Sequence, residues 1–385
     1  MRTGIQKIAV IFLTAALSLS AGIGLCRCMA ASGEGQTAFE MPDYYDFSDI
    51  DGIVGQESGF NFEETVRKFM SGDVNGSLGE LGQAVLGALF GELSAQKELI
   101  FRIITVGIIA ALFTNIATAF LSGSISGTGF YITFIMLMCL LTAGYAVTAA
   151  MVGAALDRLL ELMEAVVPVY VLSLGFSSGT ASASAFYQVI TIVIVLIQSL
   201  LKGFVLPLVY IYMITNLINN VTEGSLLTKV TELIKTAVEW LLKALMSLVI
   251  GINVIQSMIS PIVDSVKTSS FGKAASMIPG VGGALTSVSG ILLGSGTLIK
   301  NSIGMAAMVA IVALCFTPVI KTVVISIGYK AAGAILEPVS DKRIVGAVNG
   351  LYESTVLLAK ILLYAVVFFL LTLAIICNAT NHNAA

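Results

Sequence analysis

The sequence predicts an all-α, polytopic helical membrane protein with about eight membrane passages. Of its 385 residues, 57% are hydrophobic and only 11% are charged, whereas about a quarter of the residues in an ordinary soluble domain are charged. Residues 103–156 form a run of 54 without a charge, and about 20 apolar residues are enough to cross a bilayer. Together these observations argue against most classes of soluble enzyme.

Residues 1–30 have the layout of a secretory signal peptide. Arg2 and Lys7 form a basic start, residues 8–25 are apolar, and Cys28-Met29-Ala30 offers a small-x-small cleavage site. The apolar stretch is long for a signal peptide, so an uncleaved membrane anchor is the alternative. In either case the segment that follows is exported from the cytoplasm.

Residues 31–98 are predicted to be an acidic extracytoplasmic segment with short amphipathic helices. Residues 31–60 are rich in glycine, serine and acids, which indicates either a disordered tether or an extended recognition strip. Apolar residues recur at helical spacing in 62–70 and again in 78–93. The aromatic residues of the proposed strip are Tyr44, Tyr45 and Phe47.

Residues 99–377 are predicted to form the helical transmembrane domain, and residues 378–385 a polar tail. Interruptions by small or charged residues divide the domain into passages, the first two joined by residues 122–129. A chain that crosses eight times from outside has the loop 321–354 in the cytoplasm, where its lysines and arginine agree with the positive-inside rule. The predicted starts are Leu99, Phe130, Ala165, Phe186, Ala244, Ala274, Ser302 and Thr355.

Residues 222–243 predict a strongly amphipathic helix. Its charged residues fall three or four apart, opposite an apolar stripe, as they do in a ladder of ion pairs within one helix. Two interpretations remain open: a surface helix at the bilayer boundary, or a helix that lines an aqueous path. The charged residues of this ladder are Lys229, Glu232, Lys235, Glu239 and Lys243.

Residues 274–299 are uncharged but unusually rich in glycine. Glycine at this density weakens a continuous helix, and freed backbone groups in a membrane must be buried in protein or face water. This predicts a broken or re-entrant element, whereas the alternative is close helix packing through Gly290 and Gly294. The candidate hinge or pathway-lining residues, here and in a second interrupted segment, are Pro279, Gly280, Gly282, Gly283, Lys300, Asn301 and Lys202.

Lysine residues that interrupt apolar runs are of particular interest, because a charge in hydrocarbon must be paired or hydrated. Lys202 stands beside Gly203, and Lys300 beside Asn301. Both are candidates for a polar pathway. Lys360 is interpreted instead as a lysine that snorkels to the interface.

The sequence carries no motif that predicts a catalytic, cofactor-binding or metal-binding site, so the protein is expected not to be an enzyme. Residues 175–179 match the G-x-S-x-G nucleophile elbow, but the sequence contains one histidine, His382, in the polar tail. An intramembrane hydrolase that uses Ser177 is therefore the weakest alternative. A nucleic-acid partner is not expected either, because the chain has no basic footprint.

The chain resembles the stage III sporulation protein AE family. The resemblance covers nearly the whole chain, including the order of leader, exported segment and membrane body. The matching motifs are Ile278-Pro279-Gly280-Val281-Gly282-Gly283, Leu298-Ile299-Lys300-Asn301-Ser302-Ile303-Gly304, Pro318 with Lys321, Tyr329-Lys330-Ala331-Ala332, and Glu337-Pro338.

The resemblance implies a protein of an endospore-forming bacterium, made in the mother cell and placed in the outer forespore membrane. Its exported segment would face the intermembrane space. The implied partners are other proteins of the stage III sporulation A operon and, through them, a forespore membrane protein. By this resemblance, the proteins together form a channel, or feeding tube, that supports the activity of the late forespore sigma factor after engulfment. Any ATPase of this complex would be a separate subunit. The alternative function is an autonomous secondary transporter for a small solute, since segments 165–222 and 274–336 resemble paired repeats.

Overall fold

The fold is helical throughout the part of the chain that the structure describes. In this computed structural model, that part comprises isolated helical residues between 91 and 112 and the ranges 45–58, 60–71, 123–178, 180–221, 227–275 and 282–381. The predicted signal peptide, Leu99 and the end of the polar tail lie outside the described residues, as does most of 78–93. The all-α class is confirmed.

Eight helices and one π-helical turn are found within the described ranges. They are α1 (Ser48–Ser58), α2 (Phe62–Met70), α3 (Gly123–Ser178), α4 (Thr180–Leu200), a π-helical turn (Leu201–Val205), α5 (Leu206–Val221), α6 (Thr228–Ala275), α7 (Gly282–Leu336) and α8 (Lys342–Asn381). The predicted helix at 62–70 coincides with α2.

Within the described ranges, four helical stretches are long and apolar enough to cross a membrane. The predicted count of about eight passages is not confirmed, because several predicted starts fall inside continuous helices. Phe130 and Ala165 both lie in α3, and Ser302 lies in the middle of α7. The four stretches are Phe134–Gly175, Ile190–Val221, Ser295–Leu336 and Lys342–Ala374.

Several predicted interruptions are helical. Residues 123–129, expected to join two passages, begin α3. The loop expected over 321–354 consists of the end of α7, a tight turn and the first three turns of α8. The glycine-rich stretch from Gly282 to Ile299 is continuous helix, and residues 276–281 lie outside the described residues. A weak helix preference at these positions therefore does not break the described helices.

The two central helices are α7 and α8. The most apolar window of the last span is 89% buried within the protein, compared with 33% for the first span. On α3, α5 and α6 the large apolar side chains that remain exposed suit contact with lipid. They include Ile132, Met136, Val147, Ile211, Ile214, Leu233, Trp240 and Leu248.

The described part of the segment that was predicted to be exported packs onto the helical bundle. Residues 45–58 were expected in a loop, but α1 forms there and buries Ile50 and Val54. Phe47, which precedes α1, contacts Phe62 of α2 with the two rings tilted and their centroids 5.5 Å apart. The residues from 45 onward are therefore part of the core cluster, which corrects the disordered-tether interpretation for this part of the segment.

Side-chain caps fix the starts of α1 and α2. Asp46 accepts hydrogen bonds from the amide and hydroxyl of Ser48, and these bonds lower the pKa of the Asp46 carboxyl. Asp51 of α1 accepts a hydrogen bond from the first amide of α2, that of Phe62. Asn61 Oδ1 accepts from the Glu64 amide at 2.7 Å, which satisfies an otherwise unpaired helix amide.

Replacing this cap tests how firmly α2 is held. We expect Asn61→Ala to destabilise α2 by about 0.5–2 kcal/mol, because a lost N-cap costs that amount. The measurement is hydrogen exchange of residues 62–70 in the full-length protein, which should accelerate. Asn61→Asp, which keeps the acceptor, serves as the control, and equal exchange in both variants would contradict the capping role.

Candidate functional site

The predicted pathway residues Lys300 and Asn301 lie in the buried core of α7. Lys300 is fully buried and Asn301 is 9% exposed. Asn301 Oδ1 and the neighbouring Ser302 Oγ have no hydrogen-bond partner among the described residues. A buried polar group without a hydrogen-bond partner costs free energy. A polar ligand that hydrogen bonds to these two atoms would remove that cost, so this turn of α7 is a candidate binding site.

The glycine-rich motif is described only in part. Gly282 and Gly283 are the first two residues of α7, whereas Pro279 and Gly280 lie outside the described residues. The hinge role of these four positions thus stays a prediction. The same holds for the packing alternative at Gly290 and Gly294.

Lys202 lies in the π-helical turn and not in the buried turn of α7 that contains Lys300 and Asn301. Its Nζ is 2.5 Å from Asp157 Oδ1 of α3, and Gln198 Nε2 approaches the same oxygen at 3.5 Å. Both charged side chains are nearly half exposed. π-helical turns occur often at functional sites, and the exposed ion pair indicates that water or another protein, rather than lipid, covers this face.

A second group of charged residues, absent from the sequence-predicted set, joins α5, α6, α7 and α8. Glu353 of α8 is at its centre. Glu353 Oε2 accepts hydrogen bonds from Tyr212 Oη of α5 at 2.7 Å and from Lys235 Nζ of α6 at 2.9 Å. We call the residues that meet at this level the polar layer; they are Tyr212, Lys235, Lys330, Asn349, Tyr352 and Glu353.

Lys330 brings α7 into the polar layer. Its Nζ donates to Asn349 Oδ1 at 3.2 Å and lies 5.1 Å from the centre of the Tyr352 ring. The lysine is therefore held by a neutral amide and an aromatic face.

A second ion pair joins α6 to α8 beside the polar layer. Lys360 Nζ is 2.6 Å from Glu239 Oε1, and the two side chains are only 10% and 25% exposed. Lys360 is thus a buried, paired lysine, which corrects the snorkelling interpretation. Glu239 stabilises the Lys360 ammonium, because a charged lysine in an apolar core requires a counter-charge.

These pairs also correct the interpretation of the amphipathic helix. Lys229 and Glu232 do form a pair within α6, at 3.2 Å. Lys235 and Glu239 instead pair with α8, and this occurs because α6 and α8 run side by side in the same direction. No spacing in the sequence reveals these pairings, because Lys235 and Glu239 lie one helical turn apart whereas their partners Glu353 and Lys360 lie two turns apart.

Small residues let α5 approach α8 closely. A Cβ at Gly350 would overlap Asn216 Oδ1, and a Cβ at Gly346 would overlap Asn220 Oδ1. Asn220 Nδ2 in turn donates to Asn216 Oδ1 at 3.0 Å and to the Asn216 carbonyl at 2.8 Å. The Gly346-xxx-Gly350 spacing is the small-xxx-small pattern of membrane helix pairs.

Tyrosines surround the polar layer on the α3 side. Tyr145 is fully buried and meets the Tyr210 ring edge-on, with centroids 5.8 Å apart. Within the described part of the chain, Tyr145 Oη has no hydrogen-bond partner. The Tyr329 hydroxyl also comes close to α3, at Gly144.

The described residues contain no group of three or more histidine, cysteine, aspartate or glutamate side chains placed to hold a metal ion. The G-x-S-x-G match at 175–179 begins inside α3, which continues through Ser178. An elbow needs a turn from a strand into a helix, so the helical backbone here does not have the geometry of a nucleophile elbow.

The fold and its buried ion pairs define a class: a polytopic α-helical membrane protein whose core contains paired charges and polar groups without partners. A family model described as stage III sporulation protein AE matches residues 60–380. The chain therefore belongs to the stage III sporulation protein AE family, as the sequence motifs predicted.

A relative in Bacillus subtilis (strain 168), named stage III sporulation protein AE, is 23% identical over 319 residues. The match covers 82% of this chain and 80% of the relative. No solved structure is significantly similar to the chain.

Proposed function

We propose that this protein is a membrane subunit of the channel, or feeding tube, that joins the mother cell to the forespore. The family match over residues 60–380 is the observation that carries the proposal. The role is needed for endospore development and for late forespore sigma factor activity after engulfment. The protein resides in the mother-cell-derived outer forespore membrane.

The proposal includes the arrangement of the parts. The acidic segment faces the intermembrane space, where it contacts other stage III sporulation A operon proteins and, through them, a forespore membrane protein. The packing of α1 and α2 against the bundle supports a segment that presents a defined surface. The subunit performs no catalysis of its own, and any ATPase is a separate protein.

The experiment is a deletion in the native endospore-forming host, complemented with tagged variants. We expect the deletion to arrest development after engulfment, with loss of heat-resistant spores and of late forespore reporter expression. Tagged wild-type protein should restore both and localise to the forespore membrane. Normal sporulation of the deletion strain would refute the proposed role.

Lys300→Ala and Gly282→Leu test the predicted pathway residues in the same strain. We expect both to block spore formation at normal protein level, because Lys300 is fully buried in the core and Gly282 begins α7. Lys229→Gln, at a position that is 91% exposed, is the matched control and should sporulate normally. Normal spores from both test variants would remove the pathway assignment.

A self-sufficient secondary transporter is the second candidate, favoured by charged side chains that remain partly exposed within apolar helices. Reconstitution of the protein alone separates the two functions. A self-sufficient carrier moves solute without other subunits, whereas a channel subunit does not.

A further inference from the structure

Glu353 offers one carboxylate oxygen to a further partner. Both hydrogen bonds that it accepts, from Tyr212 and from Lys235, end on Oε2. Among the contacts of the described residues, none ends on Oε1. The side chain is also 43% exposed, so Oε1 can be reached by a ligand that carries a hydrogen-bond donor.

Lys330 offers the complementary charge on the neighbouring helix. Its ammonium is hydrogen bonded to the neutral Asn349 amide and rests on the Tyr352 ring. No carboxylate within the described ranges lies at ion-pair distance from it, although it interacts electrostatically with Glu353. The polar layer thus contains two lysines, Lys235 and Lys330, against one carboxylate.

Three of the four helices contribute to the polar layer from stretches apolar enough to span a membrane, since Tyr212, Lys330 and Glu353 lie within Ile190–Val221, Ser295–Leu336 and Lys342–Ala374. The α7–α8 turn carries charged residues at 337 and 341–343, which places it at the membrane boundary. Glu353 lies three helical turns beyond the start of α8, about 16 Å along the axis, and the hydrocarbon core is about 30 Å thick. Ionised groups that remain partly exposed at this depth must face water or a polar ligand.

We propose that the polar layer binds a small zwitterionic solute of the amino-acid class. The ammonium of the solute donates to Glu353 Oε1, and its carboxylate accepts from Lys330 Nζ. A simple anion leaves Glu353 Oε1 without a donor, and a simple cation leaves Lys330 Nζ without a carboxylate, whereas a zwitterion supplies a partner to each. The inference rests on the proposed function, since it names the class of solute that this subunit handles.

The test uses the purified full-length chain in lipid nanodiscs and equilibrium binding of radiolabelled L-alanine. Unlabelled L-alanine should compete, whereas propionate and ethylamine, which each carry one of the two charges, should compete at least about tenfold more weakly. Lys330→Gln and Glu353→Gln should each weaken L-alanine binding by about tenfold or more. The Lys229→Gln variant is the control, because this exposed lysine lies at the start of α6 and outside the polar layer. Its affinity for L-alanine should equal that of the wild type.

Two results would overturn the inference. One is the absence of saturable L-alanine binding by wild-type protein that elutes as a single species in size-exclusion chromatography. The other is equal competition by propionate or ethylamine, which would show a site for one charge only. Because Lys330 is outside the buried core, Lys330→Gln keeps the test informative if Glu353→Gln does not fold. A sporulation defect without alanine binding would refute the solute class and leave the proposed function standing.

Discussion

Gly350→Leu is expected to abolish the native packing of α5 against α8. A Cβ at this position already overlaps Asn216 Oδ1, and three further carbon atoms cannot be placed without separating the helices. Overpacking of this kind costs at least about 1–3 kcal/mol. The separation would also pull Tyr212 away from Glu353, since both belong to the same pair of helices. Thermal unfolding of purified protein in detergent should show a clearly lower midpoint.

Gly251→Leu is the matched control for this substitution. Gly251 is also helical, but a Cβ there meets nothing within 4 Å, and leucine favours helix over glycine. Gly350→Ala should be milder, because the Asn216 amide can rotate away while losing its hydrogen bond from Asn220. Adding Asn216→Ala to Gly350→Ala should then recover stability. Equal midpoints for Gly350→Leu and Gly251→Leu would contradict the close α5–α8 approach.

Composition and periodicity are sufficient to predict the class and the local helices. Long uncharged runs require helices, because only hydrogen-bonded backbone is tolerated in a bilayer. The spacing of Phe62, Val66 and Phe69 predicts one apolar face on α2, and the structure buries that face against the bundle. Such predictions succeed since they depend on residues one or two turns apart.

The number of passages could not be predicted in the same way. Glycine and small polar residues lower helix preference by about 1 kcal/mol or less each, so a few of them weaken a long helix without breaking it. The stretch from Gly282 to Ile299 is therefore continuous helix, and α3 runs through residues expected to form a loop. An interruption in hydropathy is not by itself an interruption in structure.

Only some residues of the candidate site could be predicted from the sequence. The sequence singled out Lys300 because a charge amid apolar residues is costly, and the structure buries it completely. It did not reveal that Lys235 contacts Glu353, since 118 positions separate the two residues along the chain. Ion pairs within a helix and between helices share the same spacing of charges, so only the tertiary structure distinguishes them.

The Glu239–Lys360 pair provides the second large expected effect. Glu239→Gln leaves the Lys360 ammonium in a nearly buried position with a neutral partner, and breaking a buried pair in this way costs about 3–5 kcal/mol. We expect a markedly lower unfolding midpoint in detergent for Glu239→Gln and for Lys360→Met. Lys229→Gln breaks an exposed pair and should cost about 1 kcal/mol or less.

The double variant Glu239→Met/Lys360→Met separates stability from function. Removing both charges leaves no unpaired ion, and apolar replacements of buried pairs are often neutral or stabilising. We therefore expect the midpoint to return to the wild-type value or above it. If this stable protein still fails to restore spores in the deletion strain, the charges serve the function of the protein and not its folding. A double variant that remains as unstable as the single variants would show that the pair does not act as a unit between α6 and α8.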